Sequence, residues 1–108
     1  MNKYIKTYND GSKHYYKDKE KTILHREDGP AIEYADGSKG WYQNGKLHRI
    51  DGPALEWSDG DVFWYQNGKL HRMDGPAHIT SGGSKEWWVN HVFIFDVDSG
   101  DNIIDRME

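Results

Sequence analysis

Leu47-His48-Arg49-Ile50-Asp51-Gly52-Pro53-Ala54-Leu55-Glu56-Trp57-Ser58-Asp59-Gly60-Asp61-Val62-Phe63-Trp64-Tyr65-Gln66-Asn67-Gly68-Lys69 is one full period of this chain. The preceding 23 residues, 24–46, match it at 16 positions. The following 23, 70–92, repeat its Leu-His-Arg-x-Asp-Gly-Pro-Ala opening and then diverge. Upstream, Tyr8, Asp10-Gly11-Ser12-Lys13 and Tyr16 read like Tyr34, Asp36-Gly37-Ser38-Lys39 and Tyr42, with a spacing three residues longer after Tyr16. Residues 93–97, Phe-Ile-Phe-Asp-Val, read as a closing strand. The chain is thus one repeat domain over 1–97, made of a cap (1–23), three units (24–46, 47–69, 70–92) and the closing strand. An acidic tail follows over 98–108. Atypical first and last units are what the ends of a repeat array require.

Each unit holds two short runs rich in aromatic and β-branched residues, 31–35 and 39–43 in the first, 54–58 and 62–66 in the second. Asp36-Gly37 and Asp59-Gly60 separate the runs, and Asn44-Gly45 and Asn67-Gly68 follow them. Asp-Gly and Asn-Gly between such runs signal hairpins, because Gly accepts positive φ. No helical period appears before the tail. The expected fold is all-β, an elongated antiparallel meander of 23-residue hairpin units forming a single twisted sheet.

Tyr34-Ala35-Asp36-Gly37, Gly40-Trp41, Asn44-Gly45-Lys46 and His48, recurring in phase, resemble MORN-type repeats, most closely the variant of small bacterial and phage proteins, antitoxin-like ones included. The resemblance covers about residues 7–92. It departs where the family carries Gly-x-Gly after the His and this chain has Asp-Gly-Pro-Ala. It implies an elongated sheet used for binding, to proteins or, as proposed for some members, to lipid.

Ile, Leu, Val and Phe together make up 19 of the 108 residues, few enough to suggest disorder. Twelve Trp and Tyr rings and a net charge of only −4 argue for a folded chain with an aromatic core. Charge is uneven. Residues 1–23 carry six Lys against three acids, and residues 96–108 carry five acids against one Arg. Without a large basic patch, nucleic acid is not an expected ligand. No run approaches the ~20 apolar residues of a membrane span, no secretory signal pattern opens the chain, and no Cys is present. These features fit a cytoplasmic protein, acting in the host cytoplasm if phage-encoded.

The loop length at Asp36-Gly37 decides which residues share a face. A two-residue loop sets Ile32 opposite Trp41, Tyr34 opposite Lys39, Leu55 opposite Trp64, Trp57 opposite Val62 and His78 opposite Trp87, giving one coherent apolar face. The other face then carries Ala31, Glu33, Gly40 and Tyr42 with their equivalents. A three-residue loop with a Gly bulge shifts the pairing by one and groups Trp41 with Ala31. On the two-residue reading, Tyr42, Phe63, Tyr65, Glu86 and Trp88 form the candidate protein-binding surface, in which positions that vary between units (Phe63, Glu86) set specificity. Tyr and Trp suit interfaces because they bring large area with few rotamers.

His48, Arg49, His71 and Arg72 are the alternative candidates, for a phosphate headgroup or small anion. His25, His48 and His71 each precede an Asp by three residues, a legitimate general-base pair. Three copies and no recurring nucleophile speak instead for a structural role, in which Asp caps the Gly-Pro turn and Arg or His pairs with it. The His ladder, stepping about 10 Å per two-strand unit, cannot converge on one metal. No catalytic residue, cofactor or metal site is expected. The expected activity is steric blocking of a bacterial protein, as by a phage anti-defence inhibitor of the anti-CRISPR kind or an antitoxin or immunity protein. The alternative is a MORN-type phospholipid- or anion-binding module. A monomer or a homodimer through an apolar face is the expected solution state.

Overall fold

The computed structural model describes residues 3–98, so the acidic tail, 98–108, lies outside the described residues except for Asp98. The described chain is all-β. Its strands are β1 (Tyr4–Thr7), β2 (Lys13–Tyr16), β3 (Ile32–Glu33), β4 (Lys39–Gly40), β5 (Tyr42–Gln43), β6 (Lys46–Leu47), β7 (Leu55–Glu56), β8 (Val62–Phe63), β9 (Tyr65–Gln66), β10 (Lys69–Leu70), β11 (His78–Ile79), β12 (Lys85–Val89) and β13 (Val92–Val97). Nine form one antiparallel sheet in the order β1-β2-β3-β4-β7-β8-β11-β12-β13, which does not close on itself. The meander expected from the repeat is therefore present, and it is long, 54 × 26 × 17 Å. It is not one uniform sheet. The β5/β6 and β9/β10 hairpins stand as separate two-stranded ribbons, because each unit breaks its strand at Trp41 or Trp64. In the last unit, β12 and β13 run through as continuous strands joined at Asn90-His91.

The first hairpin of every unit closes on three residues, not two. The Gly37 N–H donates to the Tyr34 carbonyl (3.1 Å) and the Tyr34 N–H to the Ser38 carbonyl (2.9 Å). Gly37 sits at φ +94°, the left-handed position of a type I turn with a Gly bulge. The Ser38 N–H donates to the Asp36 carboxylate (2.9 Å), which locks this form. Gly11, Gly60 and Gly83 close equivalent turns, so the cap unit is in phase with the rest. Successive turns are tied together: Ser12 Oγ accepts from the Ala35 N–H, Ser38 Oγ from the Ser58 N–H and an Asp61 carboxylate oxygen from the Ser81 N–H.

This extra residue corrects the register. Ile32 lies opposite Gly40, Leu55 opposite Phe63 and His78 opposite Glu86, in place of Trp41, Trp64 and Trp87. Glu33, not Tyr34, faces Lys39, and Glu56, not Trp57, faces Val62. The faces are re-sorted accordingly. One carries the row Lys6–His14–Ile32–Gly40–Leu55–Phe63–His78–Glu86–Asp96. The other carries Trp41, Trp64 and Trp87 alternating with Ala31, Ala54 and Ala77, and ends on Phe95, which pairs with Trp87. Ala31 and Glu33 thus leave the side of Gly40 and Tyr42. The three alanines are fully buried, the small partners that let bulky rings occupy alternate strands. Trp57, expected in the core, is 39% exposed at its turn.

Candidate binding face

The side bearing Trp41 is covered by the chain's own arginines. Arg49 Cζ lies 3.9 Å above the centre of the Trp41 ring. Its Nε donates to Asp51 (3.1 Å), and Nη1 donates to the Pro53 carbonyl (3.1 Å) and to Glu56 (3.3 Å). Arg26 over Tyr15 and Arg72 over Trp64 repeat the stacking at 3.9 Å, with Asp28 and Asp74 as their partners. Trp87, last in the series, is stacked instead by Phe95, at 4.4 Å and 12°. His48 and His71 also face inward to the array: Nδ1 of each accepts the backbone N–H of Asn67 or Asn90, in the turn near the end of its own unit, at 3.0 Å. An open groove of about 1010 Å³ runs between the first two units, and Arg26, His48 and Arg49 line it together with Glu27, Asp28 and Asp51. Asp51 is 87% exposed at that rim. An entering anion meets carboxylates before it meets guanidinium groups that are already hydrogen-bonded.

The opposite face is built differently. Tyr42 folds back over Gly40, where a Cβ would stand 3.0 Å from its ring. In the next unit Phe63 fills the Gly40 position and packs beside Tyr65, ring centres 6.4 Å apart. In the third unit Glu86 stands there, and the Trp88 indole N–H donates to it at 3.0 Å. All five residues proposed from sequence therefore share one face, but with Ile32, Leu55 and His78 as neighbours. Tyr34 and Trp57 extend the face at the turns, 5.9 Å apart, and Phe93 meets Trp88 edge-on at 5.4 Å. Burial raises the Tyr42 and Tyr65 hydroxyls above the usual phenol range, so both stay neutral.

His78, expected opposite Trp87 on an apolar face, stands opposite Glu86 instead. Its ring stacks on Phe63 at 4.0 Å and 12°, and its Nδ1 lies 3.0 Å from the same Glu86 oxygen that accepts from Trp88. These two hydrogen bonds, His78 first, hold the Glu86 carboxyl below its usual range. The other ring nitrogen, Nε2, is buried and has no hydrogen-bond partner among the described residues. The signal was present in the sequence as a paired departure. Where earlier units carry Ile32 with Gly40 and Leu55 with Phe63, the third carries His78 with Glu86. Only the correct register makes these two a pair.

Among the described residues no three His, Cys, Asp or Glu side chains are placed to hold a metal ion, and no helix is long and apolar enough to cross a membrane. No known protein family, curated protein or solved structure matches this chain.

Proposed function

We propose that this chain is a non-catalytic protein-binding module whose aromatic face covers the working surface of a bacterial partner. The observation that carries this reading is the half-buried row Tyr42, Phe63, Tyr65 and Trp88, set along one side of the repeat array and ending in the unrepeated His78–Glu86 pair. A residue repeated in every unit serves the unit's own fold. A pair found in one unit is free to recognise something. Tyr and Trp anchors within a desolvated patch carry most of the energy in such interfaces. The resemblance to MORN-type repeats of small bacterial and phage proteins supports an inhibitor of bacterial defence, an antitoxin or an immunity protein. The anion-binding alternative is not favoured, since Arg49 and Arg72 are committed to Asp, to Pro carbonyls and to rings.

The test compares wild type with the Tyr65→Ala/Trp88→Ala double variant as bait in bacterial lysate, with circular dichroism confirming that both are folded. One protein retained in stoichiometric amount by wild type and lost by the variant is the expected result. Equal retention by a folded variant overturns the assignment of this face.

A further inference from the structure

The groove between the first two units lies on the arginine side of the array, away from the Tyr42–Trp88 row, and the protein-binding reading above does not use it. The loops over 26–29 and 48–51 both contribute to its walls, and Trp41, Gln43 and Asn67 are in its lining. The residue after each Leu-His-Arg varies, Glu27, Ile50 and Met73, so the unit's own fold does not dictate it. Ile50 and Met73 are nevertheless 76% and 77% exposed, the most exposed large hydrophobics among the described residues. Glu27 and Ile50 hold the same position in the two loops that bound the groove.

The charges in the groove are unequally engaged. Arg26 lies over the Tyr15 ring and donates to Asp28, Glu33 and the Pro30 carbonyl. Arg49 repeats this over Trp41 with Asp51, Glu56 and the Pro53 carbonyl. Lys17 donates to Asn44, and Lys39 stands across the sheet from both Glu33 and Glu56. The cations thus serve the fold. Asp28 and Asp51 each lend one oxygen, Oδ1, to an arginine, and their Oδ2 atoms take no hydrogen bond among the described residues. Glu27, 81% exposed, has only His25 Nε2 at 3.8 Å. Carboxylate oxygens face outward while the guanidinium groups lie flat beneath them.

An aliphatic side chain beside outward carboxylates matches one kind of group, a lysine or arginine whose stem is apolar and whose head is charged. The width of the groove selects the backbone that carries it. Its two loops are one unit apart, about 10 Å. A helix with its side chains is about 10–12 Å across and does not fit between them, whereas an extended chain does. Asn67 supplies a side-chain amide with no hydrogen bond among the described residues, free to pair with the backbone of such a chain.

We infer that this groove is a second binding surface, which takes an extended, lysine- or arginine-rich segment of a partner protein. Cationic heads meet Glu27, Asp28 and Asp51, and a stem lies on Ile50.

NMR titration of the isotope-labelled chain with two blocked hexapeptides tests this, one of alternating Ala and Arg and one of alternating Ala and Glu. Alternate side chains of an extended peptide point the same way, so all the arginines can face the groove. The expected result is saturable shifts at the Gly29, Ile50 and Asp51 amides and the Trp41 indole with the Arg peptide and none with the Glu peptide. Half-saturation should rise about threefold in Glu27→Gln and in Ile50→Ser. Both side chains project into solvent, so neither change threatens the fold. Glu20→Gln removes the same charge outside the groove and should bind as wild type does. So should Tyr65→Ala/Trp88→Ala, which separates this surface from the aromatic face. Absence of saturable shifts overturns the assignment, as do shifts scattered over the acidic surface. Wild-type affinity in Glu27→Gln or Ile50→Ser, or weakening by either control, also refutes it. An equal response to the Glu peptide would do so too, by making the groove an anion site.

Discussion

Gly52 leaves no room for a side chain beneath Arg49: a Cβ built on it would lie 2.9 Å from the guanidinium carbon. With the Trp41 ring 3.9 Å away on the stacking side, the arginine is held between an aromatic surface and bare backbone. The Gly of Asp-Gly-Pro-Ala is required by this approach, since its φ does not fall in the left-handed range. Gly52→Ala should cost about 1–3 kcal/mol through overpacking, measured by urea denaturation. The cost should largely disappear in an Arg49→Ala background, as coupling through one contact demands. Equal cost in both backgrounds would locate the strain in the backbone.

Ser38 is buried at the joint between two turns, and its hydroxyl oxygen accepts the Ser58 N–H at 2.9 Å. Ser38→Ala leaves that donor without its partner. A loss of about 1 kcal/mol is expected, with faster amide hydrogen exchange at Ser58. Exchange unchanged at Ser58 would show that the hydrogen bond is not what orders the turn.

Gly82 and Gly83 are adjacent in the last unit's turn but differ in backbone. Gly83 has φ +96° and Gly82 does not lie in that range. Gly83→Ala should destabilise by about 1–2 kcal/mol. Gly82→Ala, with nothing nearer than Thr80 Oγ1 at 3.9 Å, should be neutral or stabilising by up to about 1 kcal/mol, because it narrows the unfolded ensemble. Thermal melts of the two variants separate the cases; the opposite order would contradict the three-residue loop.

His78 and the Trp88 indole hold the Glu86 carboxyl below its usual value near 4.5. A group depressed on folding contributes stability that is complete above its unfolded value and is lost as pH falls through the lower folded one. Melting temperature should therefore fall more steeply below about pH 4.5 in wild type than in Glu86→Gln. The two curves should lie furthest apart near neutrality and converge in acid. Parallel curves would mean that the pair contributes nothing to the native state.

The repeat period, the hairpins, the positions of the three Asp-Gly turns and the atypical ends were legible because they are local. Turn residues act through their own φ, and periodicity needs no knowledge of what lies across the sheet. The five residues of the aromatic face were also named from sequence, although for a pairing that does not occur. Alternation along each strand keeps Gly40 with Tyr42, Phe63 with Tyr65 and Glu86 with Trp88 whichever register holds. Their neighbours across the sheet changed, and with them the role of His78.

By itself, then, the sequence determined an all-β array of 23-residue hairpin units with two aromatic rows per unit. Whether Asp36-Gly37 closes a two- or three-residue loop was left to the tertiary structure, because Gly tolerates the backbone of either. One hydrogen bond to the Asp36 carboxylate and the Ser38–Ser58 link to the neighbouring turn favour the longer loop. That single residue sent Trp41 to the side of the buried alanines, placed Arg49 over it, and brought His78 to Glu86. Such meetings depend on strands separated along the chain, and only cross-strand packing selects among them.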